Sequence, residues 1–157
     1  MNNLNRLIKG IFLFLVGGGV YILIEDIWRF LVNSHPSHWT MFFVGGLSFL
    51  LIGEINEYFE WEMWIEEQML ISAFTITVIE FVSGMILNVW LRLGIWDYSK
   101  LPLNLCGQIC VPFFFAWFLL SLLGIVIDDY IRWKFFNEER PHYTSIIYFA
   151  IISKLLQ

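Results

Sequence analysis

Residues 69–90 read MLISAFTITVIEFVSGMILNVW, and a single carboxylate, Glu80, stands inside this run with two apolar neighbours on either side. As an α-helix the run rises about 33 Å, enough to cross the roughly 30 Å hydrocarbon core of a bilayer. Glu80, Gly84 and Asn88 recur every four residues and Thr77 lies three before Glu80, so all four share one helix face. An ionisable group at such depth is expensive, and it faces a bundle interior or a wet cavity rather than lipid. Gly84 removes a side chain between Glu80 and Asn88, which allows either a close helix contact or a small pocket. The stretch therefore predicts a membrane helix with a polar face turned towards other helices.

The rest of the chain agrees. Of the 157 residues, 59% are apolar, against about 45–50% in soluble domains. Mean hydropathy is +0.70. Eight Trp and 16 Phe suit lipid-facing helices with ring anchors at the interfaces. Four apolar runs are long enough to span: residues 7–28, 39–58, 69–93 and 111–131. Short connections make neighbouring helices antiparallel, so the predicted fold is all-α, a single domain (1–157) forming a polytopic bundle of four transmembrane helices. A further run, 143–156, covers only about 21 Å as a helix and is expected to lie at the interface or against the bundle. Arg6 and Lys9 before an apolar run have the form of a signal peptide. The run continues to Ile24 without a small-residue cleavage site, so it reads as a retained first helix.

Charge sets the orientation and excludes some partners. With both termini inside, the inner side carries Arg6, Lys9, Arg132, Lys134, Arg140 and Lys154, and the outer side Arg29, Arg92 and Lys100. The positive-inside rule then favours a multi-pass protein of the cytoplasmic membrane with N- and C-termini inside. A net charge of −5 without a basic run makes nucleic acid a poor partner. Cys106 and Cys110 are too few for a disulfide framework and lack CxxC spacing. His35, His38 and His142 belong to loops, so neither a metal site nor a cofactor is expected. There is no GxxxxGK[ST] to bind ATP, since GGGVYI lacks the lysine, and no H-E-x-x-H or G-x-S-x-G motif.

Polar residues also mark the other helices. Gly45, Gly46 and Ser48 read as packing residues of the second helix, while Glu54, Asn56 and Glu57 form either a solvated end or a polar mouth. Trp117, Ser121, Gly124 and Asp128 share a face of the fourth helix. Asp128 with Arg132, and Glu25 with Arg29, have the acid-then-base spacing of pairs that anchor helix ends.

Residues 94–112, GIWDYSKLPLNLCGQICVP, gather the densest polar chemistry. Gly94 is expected to close the third helix. Asp97 and Ser99 suit a turn around Tyr98. Pro102 prevents helix at Lys100–Leu101. Asn104 is expected to cap a short helical turn from Leu105 to Cys110. Pro112 cannot donate to the carbonyl of Gln108, which predicts a freed carbonyl and a kinked helix entry. Non-helical backbone at membrane depth must be buried in protein or line water. The stretch should therefore fold back on the bundle and bring Asp97, Asn104 and Gln108 towards the face of Asn88. It reads equally as an ordered cap, with Trp96 and Tyr98 as interface rings, or as part of a binding site.

A Glu followed by SGMILN, then WDYS, P-x-N-x-x-GQIC and a Trp in the next helix, resembles the small bacterial membrane proteins of the family named Putative ABC-transporter type IV. The matching positions are Glu80, Ser83, Gly84, Asn88, Trp96, Asp97, Tyr98, Ser99, Pro102, Asn104, Gly107, Cys110 and Trp117. The resemblance implies a permease-like role but supplies neither a substrate nor catalytic residues. Without an ATP-binding motif, that role needs a separate ATPase subunit or describes a passive or proton-coupled carrier, and a pathway through four helices suggests a homodimer. Three functions follow as expectations. The first is a membrane transport component with a polar site at Glu80, Asn88, Asp97, Asn104 and Gln108. The second is a membrane-embedded enzyme on a lipid-linked substrate, with Glu80 or Asp97 as acid or base. The third is an accessory or sensory subunit whose polar face binds partner helices.

Overall fold

In a computed structural model, residues 3–32, 34–58 and 63–145 are described. Four α-helices account for most of them: α1 (Asn3–Leu31), α2 (Thr40–Tyr58), α3 (Ile65–Gly84) and α4 (Val111–Phe136). α3 runs on through a π-helical turn, Met85–Trp90. Between this turn and α4 lies a small antiparallel hairpin, β1 (Asn104–Leu105) with β2 (Ile109–Cys110). Three segments, 4–31, 65–90 and 111–136, are long and apolar enough to cross a membrane, and the apolar part of α2, 40–55, is shorter. This is a multi-pass membrane protein.

Glycines let α1 and α2 approach closely. Phe14 lies against Gly46, Phe42 against Gly18, Phe49 against Gly17 and Tyr21 against Gly45, so a side chain at any of these glycines would overlap a ring. α3 packs chiefly on α4, with Phe74 and Phe114 meeting edge to face at 4.9 Å. α2 also touches α3 and α4, whereas α1 and α4 meet at few points. One core cluster joins Ile52, Ile65, Met69, Ile76 and Ile125, and a second joins Leu13, Phe49 and Ile131. Large apolar side chains such as Leu23, Phe74 and Leu119 are exposed along the outside, which suits lipid.

The end of the third span departs from expectation. The helix stops at Trp90 rather than 93, because the Leu91 and Leu93 amides donate back to Ile86 and Leu87 through wide turns. Arg92 (φ 55°) takes the first left-handed conformation and Gly94 (φ 60°) the second, so Gly94 is not alone in ending the helix. The helical turn expected from Leu105 to Cys110 is instead the hairpin. Cys106 (φ 54°) and Gly107 (φ 67°) are both left-handed, which a tight hairpin turn requires and a right-handed helix forbids. Pro112 gives no kinked entry. It occupies the first turn of α4, where a missing N–H costs nothing. Most of the helix expected at 143–156 falls outside the described residues. The described tail up to Ser145 is non-helical, and the Thr144 carbonyl accepts the Ile65 amide at the start of α3.

Candidate functional site

Glu80 is 5% exposed and is held by two neutral donors from outside its own helix. The Tyr98 hydroxyl donates to Oε1 at 2.9 Å, and the Trp117 indole N–H donates to Oε2, also at 2.9 Å. The Tyr98 ring reaches this depth by stacking on Phe113, centroids 4.4 Å apart and 13° from parallel. Tyr21 stacks on Trp117 from the α1 side. Burial pushes the Tyr98 phenol up, and the charge of Glu80 adds to the effect, so Tyr98 remains a neutral donor.

Asn88 ties the π-helical turn to the returning chain. Its Nδ2 donates to Gln108 Oε1 at 2.9 Å, and its Oδ1 accepts the Ile95 amide at 2.7 Å. Gln108 also donates to the Cys106 carbonyl. The Gln108 carbonyl accepts the Trp96 indole N–H at 3.0 Å. Gly84 makes room for this packing: a Cβ there would lie 2.6 Å from Gln108 Oε1 and 3.0 Å from Trp96 Cζ2. Residues 95–108 thus lie back on the end of α3.

Of the three residues expected near Asn88, only Gln108 arrives. Asp97 spends both oxygens locally, on the Ser99 amide (2.8 Å) and hydroxyl (3.0 Å). The Ser99 amide, then the hydroxyl, hold its carboxyl below the usual carboxylate range. Asn104 stays in the hairpin, donating to the Ser99 and Leu101 carbonyls and accepting the Gly107 amide. Short polar side chains in a tight turn find their own backbone before they reach another helix.

A part-open cavity of about 340 Å³ lies between α1, α2, α3, α4 and residues 95–98. Glu80 and Asp97 line it; Asn88, Asn104 and Gln108 do not. Glu25 and Arg29 of α1 also line it. Arg29 donates to Glu25 Oε1 at 2.8 Å and to the carbonyls of Ile95 and His35, so it fastens α1 to the folded-back segment.

At the opposite end, Asp128, Asp129 and Arg132 of α4 are all buried. Arg132 Nε donates to Asp128, and Arg132 also lies 3.4 Å from Glu54 and 3.8 Å from Glu138. Glu138 in turn accepts from Lys9 of α1 at 2.6 Å, and Tyr143 donates to Asp129 at 2.8 Å. The expected helix-end anchor is therefore an ion network, buried at Asp128 and Arg132 and exposed at Glu54, that joins α1, α2, α4 and the tail. The i,i+4 spacing of Asp128 and Arg132 was legible. Their burial was not, since it follows from Gly53, where any Cβ would overlap the Asp128 carboxylate. Among the described residues, no group of three His, Cys, Asp or Glu stands close enough to hold a metal ion.

A helical membrane protein with one carboxylate buried beside a cavity between its helices is the class that fold and site define. The family model named Putative ABC-transporter type IV matches residues 3–156, nearly the whole chain, and the protein belongs to that family. The family's name associates it with ABC transporters. Searches of curated proteins and of solved structures give no match.

Proposed function

We propose that this protein is a permease-like membrane component of a transporter, with Glu80 at the centre of its substrate path. One observation carries the reading: Glu80 sits midway along an apolar span and faces a cavity of about 340 Å³ to which all four helices contribute. An intramembrane carboxylate that faces a cavity marks a substrate or ion pathway. Asn88 and Gln108 brace the end of that cavity through Trp96, and Asp97 shapes its rim.

In this reading the chain is one domain of four antiparallel spans in the cytoplasmic membrane. The 19 residues of α2 rise about 28 Å, close to the hydrocarbon thickness. The paired contacts Phe14–Gly46 and Gly18–Phe42 run in opposite directions along α1 and α2. Both termini lie inside, a separate subunit supplies ATP hydrolysis, and a homodimer completes the path. Catalysis on a lipid-linked substrate has less support, because Asp97, the second acid it would use, is committed to the Ser99 turn.

Purification of the full chain from native membranes should bring down a P-loop ATPase in fixed ratio. Proteoliposomes of the pair should then show ATP-dependent flux that Glu80→Gln abolishes. A chain that purifies without an ATPase, and whose Glu80→Gln variant leaves flux unchanged in cells, would overturn the proposal. Cysteines placed at Ser99 and Asn137 should label from opposite faces of intact cells; equal labelling from outside would defeat the topology.

A further inference from the structure

We propose that the cavity binds a small organic cation, an ammonium ion carrying aliphatic or aromatic groups. The inference rests on the transport reading only for the claim that the cation is cargo; the binding itself stands on the geometry below.

Three carboxylic acids and one guanidinium line the cavity: Glu25, Glu80, Asp97 and Arg29. Arg29 is committed to Glu25 and to two carbonyls, and Asp97 is committed to Ser99. Among the described residues, Glu80 is left facing the space with two neutral donors and no cation in hydrogen-bond contact. Glu25 Oε2 is buried and, among the described residues, accepts no hydrogen bond. The lining thus carries three carboxylates against one guanidinium, with a buried acceptor unmet. An anion would be repelled there, whereas a cation is drawn to the excess of carboxylates.

The walls decide which kind of cation. Tyr21, Trp28, Tyr98, Phe113 and Trp117 surround the same space, and aromatic faces beside a carboxylate are how proteins hold alkylammonium groups. A hard metal ion wants six or more oxygen ligands, which this mostly apolar lining does not offer. A volume of about 340 Å³ is at the small end of ligand pockets and suits a compact ion. The ammonium group could be presented by a dissolved solute or by a lipid headgroup, since α1 and α4 meet at few points and exposed Leu123 of α4 belongs to the lining.

The test is equilibrium binding of benzyltrimethylammonium to the purified full chain in phosphatidylglycerol nanodiscs, with neopentylbenzene as the uncharged analogue of the same shape. The expected result is saturable binding of the cation alone, weakened roughly tenfold or more by Glu80→Gln. Trp28→Leu changes a half-exposed ring outside the Glu80 hydrogen bonds and should weaken binding severalfold with the fold intact. Non-saturable uptake, equal binding of neopentylbenzene, or unchanged affinity in both variants would overturn the inference. Where binding is found, competition by added phosphatidylcholine assigns the site to a headgroup, and indifference assigns it to a dissolved ion. Binding without flux in proteoliposomes defeats the transport reading alone. Flux of another solute without cation binding defeats this inference alone.

Discussion

The two ends of this helix assembly bury carboxylates in opposite ways. Near the hairpin, Glu80 is surrounded by a phenol, an indole and an open space. Near the tail, Asp128 and Asp129 are packed with Arg132, Lys9, Glu138 and Tyr143 across two helices and the tail. Desolvation acts on both, but among the described residues Asp128 has a protein cation in contact and Glu80 has none; Arg29, at the hairpin end, pairs with Glu25 instead. A charge whose counterion belongs to the fold is a structural tie. A charge met by neutral donors beside a cavity can still take a partner from outside. The difference explains why the function is assigned to one end and not to the other.

The comparison is broken most severely at the tail end. Arg132→Met should leave Asp128 buried and uncompensated, costing about 3–5 kcal/mol of stability. Denaturation in detergent checks this, and Asp128→Leu combined with Arg132→Met should recover most of the loss. A mild effect of Arg132→Met alone would mean that the network is not structural.

At the hairpin end Glu80→Leu should cost about 2–4 kcal/mol, since the Tyr98 and Trp117 donors each lose their acceptor. Glu80→Gln keeps one acceptor and should cost about half as much. If Glu80→Gln proves as destabilising as Arg132→Met, the contrast between the two ends fails. Gly84→Ala should cost about 1–3 kcal/mol by pushing Gln108 and Trp96 away from α3. Gly19→Ala, where a Cβ meets open space, should instead be neutral or slightly stabilising. Melting curves of the pair measure the difference.

The smallest effect is expected at Asp97, an exposed side chain whose carboxyl is held below its usual range. Its contribution is complete above the ordinary carboxylate pKa and is lost as pH falls through the lower folded value. The Ser99 amide resonance should therefore move only on acidification below about pH 4, and Asp97→Ala should remove that transition. A Ser99 amide indifferent to both would show that the Asp97 turn is not formed in the membrane.

The sequence by itself determined a membrane protein of apolar helices, because a run of twenty or so apolar residues has one stable place and one way to satisfy its backbone there. It also determined that Glu80, Gly84 and Asn88 share a face, since helical spacing alone fixes that. The return of residues 95–108 onto the third span was legible from Gly94 and Pro102, whereas the kink expected at Pro112 did not form. Which polar group met which was not: Gln108 reached Asn88, while Asp97 and Asn104 closed on their own turns. The hairpin escaped because strands of two residues carry no periodicity and its turn rests on a left-handed cysteine. Only the tertiary structure decided that Trp117 and Tyr98 meet Glu80, and that Asp128 lies inside rather than at a helix end. Such contacts depend on how neighbouring helices rotate and approach. Glycines as far away in sequence as Gly53 and Gly84 set that approach, and no local pattern encodes it.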